Sequence, residues 1–162
     1  MPLRGGRAQP GAATPKGGLE EARMQQVLGY QLAQAAIVSY RVFDLAVGDP
    51  LDLRPVEYTV LTLIHENPGV SPAQLSKALA VTRPNITVWL DRLEQRGLVQ
   101  REVNPSDRRG QHLRTTESGA ALSLDATRRL TLMERERFTT LTPVEQMMLT
   151  ELLHKLAQCR TD

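Results

Sequence analysis

The chain has 162 residues, enough for one domain of ordinary size or a small core with appendages. Hydrophobic residues make up 41% and aromatics only 4%, so the core must be built on Leu, Val, Ile and Ala, which favours helices over a β-sandwich. A single cysteine, Cys159, excludes an internal disulfide and a cysteine-rich zinc site, and a net charge of only +2 means that nucleic-acid binding must rest on a local basic surface. No apolar leader region opens the chain, and no run approaches the roughly 20 apolar residues of a membrane span. A soluble, cytoplasmic protein without membrane contact is expected.

Met1 to Gly18 is rich in Gly, Pro and Ala and carries Arg4, Arg7 and Lys16 without any acid. It cannot bury enough apolar surface to fold alone, so residues 1–18 are expected to be a flexible basic arm. Leu19 to about Val47 has no proline and one interior glycine. Val27, Leu28, Leu32, Ala35, Ala36, Phe43 and Val47 recur near helical spacing, which predicts one long helix ending near Gly48, Asp49 and Pro50. Such a helix extends beyond one small core, and its surplus apolar face calls for a partner subunit. Arg54-Pro55 opens the next helix, which runs through Val56, Val60, Leu61 and Ile64 to about Glu66 before Asn67-Pro68-Gly69 breaks it.

Ser71-Pro72-Ala73-Gln74 is a capping box: the Ser71 hydroxyl accepts from the Gln74 amide and the Gln74 side chain returns to the Ser71 amide. Leu75, Ala78 and Leu79 form the buried stripe of that helix, and Ala80-Val81 makes a turn. Thr82 is predicted to cap the following helix, with Pro84 in its first turn. Ile86, Leu90, Leu93 and Gly97 fall at steps of four, three and four and must look inward, with Trp89 beside them. The opposite face carries Asn85, Thr87, Val88, Asp91, Arg92 and Gln95. After Gly97, residues 98–103 read as a strand, Asn104 to Gly110 as a turn, and Gln111 to Thr115 as a returning strand. This hairpin carries Arg101, Arg108, Arg109 and Arg114 against Glu102 and Asp107. Glu117 to about Thr139 is helical, and Thr142-Pro143-Val144-Glu145 is a second capping box. It opens a last helix with Met148, Leu149, Leu152, Leu153 and Leu156 on one side.

Two short helices followed by a two-stranded hairpin fit a winged helix-turn-helix, and the expected fold is mainly α. The division predicted is a basic arm over 1–18, an N-terminal dimerisation helix and linker over 19–52, the winged lobe over 53–116, and C-terminal dimerisation helices over 117–162. The mixed polar face of a second helix in this motif is where base edges are read. Arg83 and Asn85 have no visible core role, and arginine pairs with guanine as asparagine does with adenine. Arg92, two turns further on, is expected to contact a phosphate or else to pair with Asp91 or Glu94. His65, His112 and His154 form no metal-binding pair, no nucleophile-base-acid grouping stands at catalytic spacing, and no phosphate-binding glycine loop is present. No enzyme activity, cofactor or metal is therefore expected.

The order and spacing from Ser71 to Gly119 resemble the MarR (multiple antibiotic resistance regulator) family of winged helix-turn-helix proteins. The run VTRPNITVWLDRLEQRGLVQR is similar to that family's recognition helix and first wing strand, and DRRGQHLRTTESG to its Asp-x-Arg wing signature. Arg54-Pro55-Val56-Glu57-Tyr58 is similar to its second-helix opening, and the resemblance covers about Leu19 to Leu156. Val88 and Thr115 depart from it, standing where relatives often carry a polar and an aliphatic residue respectively. The resemblance implies a homodimeric regulator, a repressor on a palindromic double-stranded DNA operator, released by a small aromatic or phenolic effector. By that implication Thr82, Arg83, Asn85, Thr87 and Val88, at the N-terminal end of the recognition helix, are DNA-binding candidates beside the phosphate candidate Arg92, and Arg108 touches a phosphate or is simply solvated. Arg109, braced by Asp107, enters the minor groove. Tyr30, Tyr40, Arg41 and His65, in the first two helices, are candidates for lining an effector pocket. Rival readings are a winged-helix module that contacts protein rather than DNA, and a redox-responsive regulator acting through Cys159.

Overall fold

The structure, a computed structural model, describes residues 13–103 and 111–160, without the side chain of Val103. It forms two compact units, residues 1–41 and 42–162.

In the first unit Gly17 and Gly18 take left-handed φ values of +86° and +60° and turn the chain back, so that the Thr14 amide donates to the Leu19 carbonyl at 2.8 Å. The Glu21 carbonyl then accepts from the amides of both Met24, at 2.7 Å, and Gln25, at 3.0 Å. These turns occupy the ladder positions a helix from Leu19 would need. The first helix, α1, accordingly begins nine residues later than predicted and spans Leu28–Phe43.

The far end also departs from expectation. A π-helical turn, Asp44–Gly48, follows α1, and a short helix α2, Asp49–Leu51, follows that. Neither Gly48 nor Pro50 stops the chain. The wider turn sends the Asp49 amide to the Asp44 carbonyl, and Pro50 falls in the first turn of α2, where a missing N–H costs nothing. Helicity ends at Asp52, which is left-handed with φ +49°.

The helices α3 (Pro55–Glu66), α4 (Pro72–Leu79) and α5 (Arg83–Gln95) lie where the proline and capping signals place them. Their apolar stripes meet in one core. Val60, Leu61 and Ile64 from α3, Leu75 from α4, and Ile86, Leu90 and Leu93 from α5 are all buried. The strands β1 (Val99–Val103) and β2 (Gln111–Thr115) pair antiparallel, with Val99 opposite Thr115 and Val103 opposite Gln111. Leu113, in the middle of β2, is fully buried, so the wing is rooted in the core rather than appended to it. A third backbone segment, invisible in the sequence, secures it: Gly69 donates to the Leu113 carbonyl and Leu113 to that of Val70, each at 2.9 Å.

Helix α6, Glu117–Arg137, starts hard against the wing. The Thr116 hydroxyl accepts from the Gly119 amide at 3.1 Å, and Gly119 lies so close to the Leu98 carbonyl that a Cβ there would sit 1.9 Å from its oxygen. Further along, α6 faces α3 across a polar seam, with Thr62 and Ser123 hydroxyls 3.1 Å apart and those of Tyr58 and Thr127 3.0 Å apart. Helix α7, Pro143–Ala157, has the predicted capping box but buries none of its side chains.

Candidate nucleic-acid interface

The side chains of α5 divide by position along the helix. Near its start Thr82, Arg83, Asn85, Thr87 and Val88 are all exposed. The helix begins here because Thr82 has extended backbone and Pro84 supplies a helical φ in the first turn. The Thr82 hydroxyl, however, makes no cap hydrogen bond, contrary to expectation. Pro84 occupies the second helical position and removes one of the amides that a cap oxygen would engage. That hydroxyl is left on the outer surface. Thr87 donates to the Arg83 carbonyl at 3.1 Å and keeps its acceptor capacity. Val88 is 57% exposed, an apolar side chain among polar ones on the outer face.

The second half of α5 is committed to the fold itself. Arg92 lies against Glu57 of α3, with Nη1 3.1 Å from Oε1. The Glu57 side chain is only 1% exposed. Asp91 and Glu94, the predicted alternative partners of Arg92, instead share Arg101 of β1, whose Nη2 lies 3.0 Å from Glu94 Oε2 and also contacts Asp91 Oδ1. Arg96 closes the other end by donating to the carbonyls of Leu51 and Asp52, where helicity ends ahead of α3. A guanidinium's planar fork suits such shared and two-carbonyl contacts better than a lysine would. The helix is thus gripped by α3, by the wing and by the end of α2, while its opening turns stay free.

In the wing, Arg114 pairs with Glu102 at 2.8 Å across the two strands. His112 uses Nδ1 to bond the Gly69 carbonyl, a contact that fixes β2 to the turn after α3. The wing-tip candidates Asp107, Arg108 and Arg109 lie outside the described residues. Among the effector candidates, Tyr30, Tyr40 and Arg41 belong to the first unit and His65 to the second. The Tyr30 hydroxyl donates to Glu21, and that carboxylate holds the phenol above its usual pKa of 10. Tyr40 is exposed, and His65 is half-buried in the last turn of α3.

Sequence reasoning overlooked Glu57, and the signal was there. Glu57, Val60, Leu61 and Ile64 follow the i, i+3, i+4, i+7 spacing of one face, so the carboxylate falls on the apolar stripe. A charge in that place demands a buried partner. Gly69 and His112 carried no comparable signal. No cluster of His, Cys, Asp or Glu suited to a metal ion occurs among the described residues, and no described helix is long and apolar enough to cross a membrane.

Residues 53–110 match the family model for the MarR family. Among solved structures, the transcriptional repressor CouR bound to a 23-mer DNA duplex is 31% identical over 86% of this chain and 98% of its own, with a TM-score of 0.79. A mutant MarR from E. coli complexed with operator DNA is 30% identical over 80% of this chain and 92% of its own, with a TM-score of 0.70. A putative transcriptional regulatory protein for the hcr operon of Thauera aromatica is 34% identical over 92 residues, 57% of this chain. The chain spans about half, 55%, of the length of that curated relative.

Proposed function

The chain belongs to the MarR family, and from that premise we propose that it is a sequence-specific DNA-binding transcriptional regulator acting as a homodimeric repressor in the cytoplasm. The observation that carries this reading is the free opening of α5. An arginine, an asparagine, two threonines and a valine stand outward there, on the helix of a winged helix-turn-helix that offers its N-terminal residues to base edges. Arg83 suits guanine, Asn85 suits adenine, and Val88 suits a thymine methyl. Thr82 and Thr87 supply hydroxyls for bases or phosphates. For Asp107, Arg108 and Arg109, which lie outside the described residues, the family resemblance supports a minor-groove contact for Arg109 paired with Asp107 and a phosphate contact for Arg108.

Dimerisation draws support from α7, whose Met148, Leu149, Leu152, Leu153 and Leu156 are exposed in the single chain. A two-fold partner would cover them and would set two recognition helices on half-sites about 10 base pairs apart. A small aromatic or phenolic effector releases the DNA by binding better to a conformation whose recognition helices are wrongly spaced.

Fluorescence anisotropy tests the reading, with the protein titrated onto its own upstream DNA and onto a scrambled duplex across a salt series. Preference for the upstream DNA, with log affinity falling steeply on log salt, is expected. Equal, salt-insensitive binding to both duplexes would point to a protein-contacting winged helix instead. Release of the upstream DNA by aromatic acids or phenols then tests the effector.

A further inference from the structure

We propose that Arg92 is a positioning residue that seats the recognition helix through Glu57, rather than a contact to the DNA backbone. The inference rests on the DNA-binding reading above. It starts from a carboxylate that has almost no access to water. The Glu57 side chain is 1% exposed, and its Oε2 accepts the Arg54 amide at 3.0 Å. Its Oε1 is buried and has no hydrogen-bond donor of good geometry among the described residues. The charge is balanced by the Arg92 guanidinium, whose Nη1 lies 3.1 Å from that oxygen.

A buried carboxylate without its cation is strongly unfavourable, so the pair holds more firmly than a surface ion pair would. A guanidinium drawn outward to a phosphate would leave the buried Glu57 carboxyl without its partner in the core. The two other arginines that hold this half of α5 offer no substitute. Arg101 is already shared by Asp91 and Glu94, and Arg96 donates to Leu51 and Asp52 carbonyls. Position along the helix makes the pair useful. Arg92 lies two to three turns beyond Arg83 and Asn85, so a small rotation at this anchor is carried to the residues that face bases. Glu57 caps the start of α3 with its other oxygen, so the anchor also registers the recognition helix against α3.

The two roles for Arg92 make opposite predictions for its partner. The test is anisotropy on upstream and scrambled DNA, over a salt series, for the full chain and for Glu57→Gln, Arg92→Gln and the double variant. Positioning predicts that Glu57→Gln and Arg92→Gln each lower upstream affinity roughly tenfold, about the value of one misaligned base contact, with little change on scrambled DNA. It also predicts that the double variant is no worse than either single one and that the salt slope is unchanged. A phosphate contact predicts that Arg92→Gln weakens both duplexes and flattens the slope by about 0.9, while Glu57→Gln binds at least as tightly as the parent. That result would overturn the proposal. Circular dichroism and sedimentation of each variant separate lost seating from lost folding. If Glu57→Gln does not fold, the slope of Arg92→Gln alone decides, since only a phosphate contact changes it. A parent protein that does not distinguish upstream from scrambled DNA would overturn the DNA-binding reading, and this proposal with it. A parent that does, with a flatter slope for Arg92→Gln, would overturn this proposal alone.

Discussion

Helices α4 and α7 start the same way and end up in opposite surroundings. Each opens with a hydroxyl cap, a proline at the next position and a reciprocal side chain three residues on, Ser71 with Gln74 and Thr142 with Glu145. Each carries an apolar stripe. Yet Leu75 is 1% exposed, within a core that includes Ile64, Leu90 and Leu113, whereas Leu152 of α7 is 56% exposed. Local chemistry decides that a helix forms and where it begins. What covers its apolar face is decided elsewhere in the chain, or in a second copy of it.

The contrast can be broken at its buried end first. Leu90→Ala removes a core side chain of α5 and should cost about 2–5 kcal/mol, read from the midpoint of denaturant unfolding. Leu152→Asp should leave the helical circular dichroism intact and shift sedimentation from dimer toward monomer. Each copy would forgo the burial of a leucine, worth about 1.5–3 kcal/mol. A dimer of unchanged mass in that variant would remove α7 from the interface. Gly119→Ala tests the approach of α6 to the wing. Its Cβ must displace the Leu98 carbonyl, so a loss of about 1–3 kcal/mol is expected in thermal unfolding.

The smallest effect lies at the α7 cap. Thr142→Ala should cost about 1 kcal/mol. Hydrogen bonds from Thr142 hold the Glu145 carboxyl below its usual pKa of 4.5. Its contribution to stability is therefore present above that value and lost as pH falls through the lower, folded value. Thr142→Ala should shrink that part of the acid dependence without erasing it, because the residue-142 amide still donates to Glu145 and only the hydroxyl donor is lost, and an unchanged acid profile would contradict it.

The extent to which the fold was legible follows from the range of the interactions involved. The starts of α3, α4 and α7, the buried stripe of α5 and the returning strand are written in neighbouring residues, and the structure places them as predicted. The start of α1 was not legible, because the turns that displace it depend on left-handed glycines and on the Glu21 carbonyl. The passage through Gly48 and Pro50 was misread because each alone signals a stop, and only the π-helical turn reconciles them. The bridge from Val70 to Leu113 joins residues 43 apart in sequence and leaves no periodic trace. At the candidate interface, the outward residues of early α5 were predictable from the inward ones by elimination. The commitment of Arg92 was not, because its partner lies on another helix. The unused Thr82 hydroxyl was misjudged because residue type suggested a cap while Pro84 withdrew one of its donors.

The central claim is that the first turns of α5 read base edges while its second half only holds the helix. Selection from a randomised duplex library, by the parent and by Asn85→Ala, tests it most directly. The account predicts an enriched palindrome with half-site centres about 10 base pairs apart for the parent, and loss of preference at one symmetry-related adenine position for the variant. An identical motif from both proteins, or no enriched motif from either, would contradict it.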